Sequence, residues 1–195
     1  MLVRDVMTSE LVSVGPGSPV KHAIQLMHAH QITAMPVLDE EGRLVGVVSE
    51  ADVIRGSMIP DRRAHEIPFE VQASRLAATV GDVMTPGPVT IRSDQDLAAA
   101  VERLADTQVK SLPVVDDGRV VGMLSRRDLI AVLARSDEQI AADVDGLLRE
   151  GAVPCRVDVV DGVVELRGQS DPQARGIARV LAASVPGVVG IAFGD

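Results

Sequence analysis

The 195-residue chain states one pattern twice. "VRDVMT" at 3 to 8 returns as "VGDVMT" at 80 to 85, and "QITAMPVLD" at 31 to 39 returns as "QVKSLPVVD" at 108 to 116. "GRLVGVVSEADVI" at 42 to 54 returns as "GRVVGMLSRRDLI" at 118 to 130. The first copy holds one more turn residue, "DEEG" against "DDG". Such a repeat constrains the fold more than any single residue does, because each copy must be one supersecondary unit that buries its apolar face against the other. A unit of about 50 residues cannot bury enough apolar surface alone. Two copies are therefore expected to pack sheet against sheet around a local two-fold.

Each copy reads as β-α-β-β-α, giving an α/β (α+β) fold class. "LVSV" at 11 to 14 and "PVTI" at 88 to 91 are expected as short strands. Ser18-Pro19 is expected to cap a helix whose apolar stripe is Val20, Ala23, Ile24 and Met27. Ser93-Asp94 opens its counterpart, with Leu97, Ala100, Val101 and Leu104 as the stripe. Two β-rich runs then flank a turn at Gly42 in the first copy and Gly118 in the second, predicting antiparallel hairpins. Ser49 and Ser125 stand where a strand gives way to a second helix.

Composition narrows the function. The formal charge is −9, and Phe69 and Phe193 are the only aromatic residues. Nucleic acid needs basic residues to replace counterions and aromatic platforms for stacking, so no nucleic-acid partner is expected. Cys155 is alone, so no intrachain disulfide or cysteine metal site is expected. His28 and His30 are two apart and do not share a helix face, so no metal site is expected there. No signal-peptide run or membrane span of about 20 apolar residues is apparent, which predicts a cytoplasmic protein without membrane association. No nucleophile-base set assembles from local motifs, so an enzyme is not expected and no cofactor is required.

The boxes "SEAD" and "SRRD" put Ser49 and Asp52, and Ser125 and Asp128, one helical turn apart. Plain helix capping is one reading of that spacing. A site at a helix N-terminus that favours an anion is the other. Taken with "DVMT", "LPVVD" and the duplication, the first 135 residues resemble a tandem pair of cystathionine-β-synthase-type (CBS) domains, the Bateman module. The resemblance implies a cleft between the halves that binds an adenosine-type small molecule, with AMP, ADP, ATP and S-adenosylmethionine as candidate ligands. It also implies that Asp52 and Asp128 accept the ribose hydroxyls, while Ser49 and Ser125 face phosphate or ribose. Some members of the family bind nothing and act only as dimerising modules. The second copy carries Lys110 before Ser111, and Arg126 after Ser125, where the first has Thr33 and Glu50. Relatives that bind nucleotides carry basic residues at similar places. A charged hydrogen bond is worth about 1.5 to 3 kcal/mol. The second half is therefore expected to be the better phosphate site.

The expected divisions are 1–56 and 80–135 for the two CBS domains, 57–79 for the linker and 136–195 for a tail. The linker holds Pro60, Pro68 and Phe69, and its "EVQASRLAATV" run is expected to be helical. In the tail, "SDEQIAADVDGLLRE" is expected as a helix with Ile140, Val144 and Leu147 on one face. Asp161-Gly162 predicts a hairpin. A helix capped by Asp171 and a last strand, "VVGIAF", follow. This α-β-β-α-β order, with "DGVVELRG" and "VPGVVGI", resembles a BON domain. That resemblance implies phospholipid or other hydrophobic or polymeric ligands, and so an alternative role as a lipid or envelope adaptor. The tail's ten acids against five bases argue for a docking module instead. A regulatory homodimer that signals through the tail or to an unidentified protein partner is the expected function.

Overall fold

A computed structural model of the chain describes residues 1–55, 79–107, 109–168 and 171–194. The expected linker helix and Phe69 fall largely or wholly outside these residues. The chain packs into two compact units. One comprises Met1–Met7, Ser93–Val109 and Leu124–Asp195, and the other comprises Thr8–Arg92 and Lys110–Met123.

The first copy contributes α1 (Val20–His30), β1 (Ala34–Leu38), β2 (Leu44–Ser49) and α2 (Glu50–Ile54). β1 and β2 are antiparallel, with Met35 facing Val48. The Asp39 carboxylate gathers the turn by accepting from the Glu41 and Arg43 amides at 3.1 and 2.8 Å. The Arg43 amide, helped by its guanidinium, holds that carboxyl below its usual range. Ala23, Met27, Met35, Val37, Val48 and Val53 form the buried core here, with Val20 and Ile24 packed against it. The 3.6-residue stripe read from the sequence is thus the face that α1 buries.

The second copy repeats the plan with β3 (Thr85–Pro86), α3 (Leu97–Asp106), β4 (Ser111–Asp116), β5 (Arg119–Ser125) and α4 (Arg126–Leu133). The β4–β5 turn is Asp117-Gly118, with φ of 49° and 78°. Positive φ at both positions gives the primed turn whose twist suits a hairpin.

Two expectations are corrected. "LVSV" and "PVTI" are not strands; each makes a single parallel bridge, Val14 to Val37 and Ile91 to Val114. The Val14 amide donates to the Pro36 carbonyl, and the Ile91 amide to the Pro113 carbonyl. Extending either ladder towards the N-terminus needs an N–H from Pro36 or Pro113, and proline has none. The helix caps also differ. α1 starts one residue later than expected, with Pro19 as N-cap, while the Ser18 hydroxyl accepts from the Gly15 amide at 3.2 Å. In α3 the cap is Asp96, which accepts from the Ala98 amide at 2.8 Å.

One feature left no trace in the sequence: the copies exchange their N-terminal segments. Met1 to Met7 of the first copy lies at the start of α3, where the Val3 amide donates to the Gln95 carbonyl and the Leu97 amide to the Met1 carbonyl. In the other unit, the Val80 and Gly81 amides donate to the Ser18 and Pro16 carbonyls, just before α1. β3 then adds to the first copy's sheet, which has the order β1-β2-β3. In return Thr8 bridges Met123 of β5 with two backbone bonds.

The tail is α5 (Asp137–Glu150), β6 (Arg156–Val160), β7 (Val163–Arg167), α6 (Pro172–Ser184) and β8 (Gly190–Phe193). β7 pairs antiparallel with β6 and parallel with β8. Ile140, Val144, Leu148, Val164, Leu166, Ala178 and Ala182 are buried in one cluster. Leu148, not Leu147, completes the inner face of α5, because Leu147 only packs against the cluster edge.

The exchange rests on close approach at Gly46, where a Cβ would lie 2.7 Å from Met84 Sδ and 3.0 Å from the Thr85 carbonyl. We predict that Gly46→Val pushes β3 off β2 and costs about 1 to 3 kcal/mol. A fall in the urea unfolding midpoint would be the sign of it, and an unchanged midpoint would contradict it.

Candidate functional site

Strand β2 delivers Ser49 to the first turn of α2, and strand β5 delivers Ser125 to the first turn of α4. Both are extended residues, with φ −114° and ψ 166° at Ser49 and φ −119° and ψ 164° at Ser125. Each serine presents its backbone N–H and its hydroxyl to the aspartate three residues on. Asp52 Oδ2 accepts both from Ser49, at 2.9 and 2.6 Å. Asp128 Oδ2 accepts both from Ser125, at 2.7 and 2.6 Å. The Asp128 amide also donates to the Ser125 hydroxyl, at 3.4 Å. The capping reading of these boxes therefore holds. A carboxylate offers about four lone-pair sites over two oxygens, so two bonds to one oxygen do not exhaust Asp52. All four side chains are half-buried, within reach of water.

The residues that distinguish the copies are placed differently from the expectation. Thr33 is exposed, and its carbonyl accepts from the Glu50 amide at 2.8 Å. Glu50 Oε1 in turn accepts from Lys110 Nζ at 2.5 Å. Lys110 and Glu50 were expected to set the two halves apart. They instead meet and neutralise one another. Both side chains are well exposed, so the pair is worth little and yields to a competing anion. Ser111 follows Lys110 as the first residue of β4 and is half-buried.

Arg126 is likewise engaged. Its guanidinium donates to the Leu104 carbonyl at 2.9 Å, near the end of α3. That carbonyl is among the last four of the helix, which have no partner within it, and a cation there also suits the helix dipole. Neither this bond nor the Lys110–Glu50 pair had a signal in the sequence, since each joins residues far apart in the chain. His28 and His30 end α1 and are exposed.

The tail holds a hollow of about 470 Å³ with Leu148, Val153, Pro154 and Cys155 among its walls and Arg149 and Arg156 beside them. No sequence motif pointed to it. Burial raises the Cys155 thiol above its usual range.

Comparison with known proteins gives these features a family setting. The family model described as "CBS domain" matches residues 3–58 and 80–135, together more than half of the chain. The Arabidopsis thaliana "CBS domain-containing protein CBSX1, chloroplastic" is 33% identical over 137 residues, which is 62% of this chain and 58% of that protein. The chain thus spans under two thirds of that relative's own length. Among solved structures, A. thaliana CBSX2 in complex with AMP aligns with a TM-score of 0.55 at 32% identity, covering 67% of this chain and 93% of that one. The CBS domain pair of protein MJ0100, solved with 5′-methylthioadenosine and S-adenosyl-L-methionine, aligns with a TM-score of 0.57 at 22% identity, covering 68% and 94%, a likeness of fold alone.

Ser49→Ala and Ser125→Ala each remove the hydroxyl of a capping box and should cost about 1 kcal/mol in chemical unfolding; a loss near zero at both would remove the capping role. With its thiol raised, Cys155 carries less thiolate at pH 8 than a free cysteine. Iodoacetamide should therefore label it several-fold more slowly than the free amino acid, and equal rates would contradict the burial.

Proposed function

The chain belongs to the CBS domain family, and from that premise we propose that it binds an adenine nucleotide or another adenosine derivative at its Ser-x-x-Asp boxes and acts as a regulator rather than an enzyme. The observation that carries the reading is the AMP complex of a CBS pair 32% identical to this one, together with a box kept in both copies here. In this reading Asp52 and Asp128 accept the ribose hydroxyls. Ser49 and Ser125 sit at the phosphate or ribose. Lys110 leaves Glu50 for a phosphate, beside Thr33 and Ser111. Arg126 adds charge if it releases the Leu104 carbonyl. AMP, ADP, ATP and S-adenosylmethionine are the ligands to try.

The same reading takes 1–56 and 80–135 as the two CBS domains, 57–79 as their linker and 136–195 as a BON-type domain that docks or signals to a protein partner. What supports the last part is the helix-hairpin-helix-strand order of the tail and its own buried cluster. A cytoplasmic setting belongs to this reading too; no helix among the described residues is long and apolar enough to cross a membrane. Homodimerisation is supported by helices that leave apolar side chains in water. On α4, Ile130 and Leu133 are 65% and 68% exposed, and Ile54 on α2 is 60% exposed. Covering such side chains favours association.

Calorimetry decides the ligand question. AMP should bind the full chain, and Asp128→Ala should weaken it at least about tenfold, with Asp52→Ala changing it little. Glu50→Gln should tighten AMP about two- to fivefold by freeing Lys110 and leave adenosine unchanged. No binding by any adenine ligand would leave the ligand-free dimerising scaffold as the function, and equal losses from the two aspartate variants would defeat the asymmetry.

A further inference from the structure

β6 is an outer strand of the tail sheet, whose order is β6-β7-β8, and among the described residues no strand pairs with its other edge. Hydrogen-bond parity fixes what that edge offers. In a hairpin with a two-residue turn, the residues flanking the turn exchange both backbone bonds. Val160 and Val163 flank it here. Val160, Asp158 and Arg156 therefore bond inward to β7, and Val157 and Val159 direct their N–H and C=O groups outward. Asp161 continues the outward set, and its amide is already held by Asp137 Oδ2 at 2.9 Å. The outward groups of Val157 and Val159 are thus what the edge presents.

The side chains on the solvent face add a second constraint. Arg156 faces Arg167, and Asp158 faces Glu165. Like charge opposite like charge costs stability. The relief available is diagonal or along a strand: Arg167 reaches Glu165 at 2.7 Å and Asp158 at 3.9 Å, and Arg156 reaches Asp158 at 3.7 Å. Neither Arg156 nor Asp158 has an opposite charge directly beside it across a strand.

We propose that β6 pairs antiparallel with β6 of a second copy about Val157, joining two three-stranded sheets into one. Lone charges on an edge keep copies apart. An alternating Arg-Asp pair, by contrast, is self-complementary in one register. Pairing about Asp158 brings carboxylate to carboxylate and Arg156 to Val160. Pairing about Val157 sets Arg156 opposite the second copy's Asp158, and two-fold symmetry repeats the contact. Those contacts fall at the non-hydrogen-bonded pairs, where side chains lie closest. Outward backbone groups meet outward groups in this register too, so parity permits it and charge selects it over pairing about Asp158. This association uses none of the adenosine-box residues and stands whether or not a nucleotide binds.

Amide exchange followed by NMR on the full chain tests it. The Val157 and Val159 amides should slow as protein concentration rises, which association through α2 or α4 does not produce. Arg156→Asp alone and Asp158→Arg alone should each abolish the slowing, since each repels its own kind. Mixing the two variants should restore it, because the carboxylate introduced by the first substitution then faces the guanidinium introduced by the second. No contact within a chain predicts that rescue. Exchange of these amides independent of concentration in the native chain would overturn the proposal, and so would a mixture that stays unprotected. Should a variant fail to fold, as judged by circular dichroism, the native chain's concentration dependence decides alone.

Discussion

The fold depends on a handful of backbone hydrogen bonds that trade the N-terminal segments of the two copies. Without Met1 and Val3, α3 loses the carbonyl that takes its first amide and the bond at the Gln95 carbonyl. Without Val80 and Gly81, the approach to α1 loses the donors to Ser18 and Pro16. Removing a partner from a backbone group that stays out of water costs about 1 to 3 kcal/mol, so neither copy holds its own helix entry. The repetition in the sequence is therefore more than two modules side by side. Each "DVMT" segment is a part of the other copy's structure. The aspartate in each also holds its own segment. Asp5 accepts from the Leu2 amide and Asp82 from the Thr79 amide, which shapes the turn that is handed across.

The same economy marks the Ser-x-x-Asp boxes. Capping and ligand recognition call for the same groups: a hydroxyl at a helix N-terminus and a carboxylate one turn on. Ser49 is bonded to Asp52 and Ser125 to Asp128 within each box, so each box holds its own shape. The cationic groups behave differently. Lys110 rests on Glu50 and Arg126 on the Leu104 carbonyl, and both have a cost to leave. The exposed ion pair is the easier of the two to break.

How much of this the sequence disclosed varies with the range of the interaction. The hairpins at Gly42, Asp117-Gly118 and Asp161-Gly162 were legible because turn chemistry is local. The stripe from Val20 to Met27 was legible because its period is local too. The first strand of each copy was over-read. "LVSV" and "PVTI" have strand composition, but the donor missing from the ladder belongs to a proline on another segment, Pro36 or Pro113. Leu147 and Leu148 are adjacent and equally apolar, and only packing against the sheet chose between them. The spacing of serine and aspartate in each box disclosed a helix cap, and a ligand role for them came only from the family resemblance. The pairing of Lys110 with Glu50 joins residues 60 apart and had no local trace.

The tail is fixed to the second copy by polar contacts rather than by the chain alone. Arg135, two residues beyond α4, donates to the Pro186 carbonyl at 2.7 Å and to Asp143 at 2.5 Å. Asp137 clasps the β6–β7 turn through the Asp161 and Gly162 amides, each at 2.9 Å. Gly187, at φ 95°, leaves no room for a side chain between Ile140 and the Val132 carbonyl. α4 thus begins at the Ser125 box and ends with the Val132 carbonyl of its last turn against Gly187.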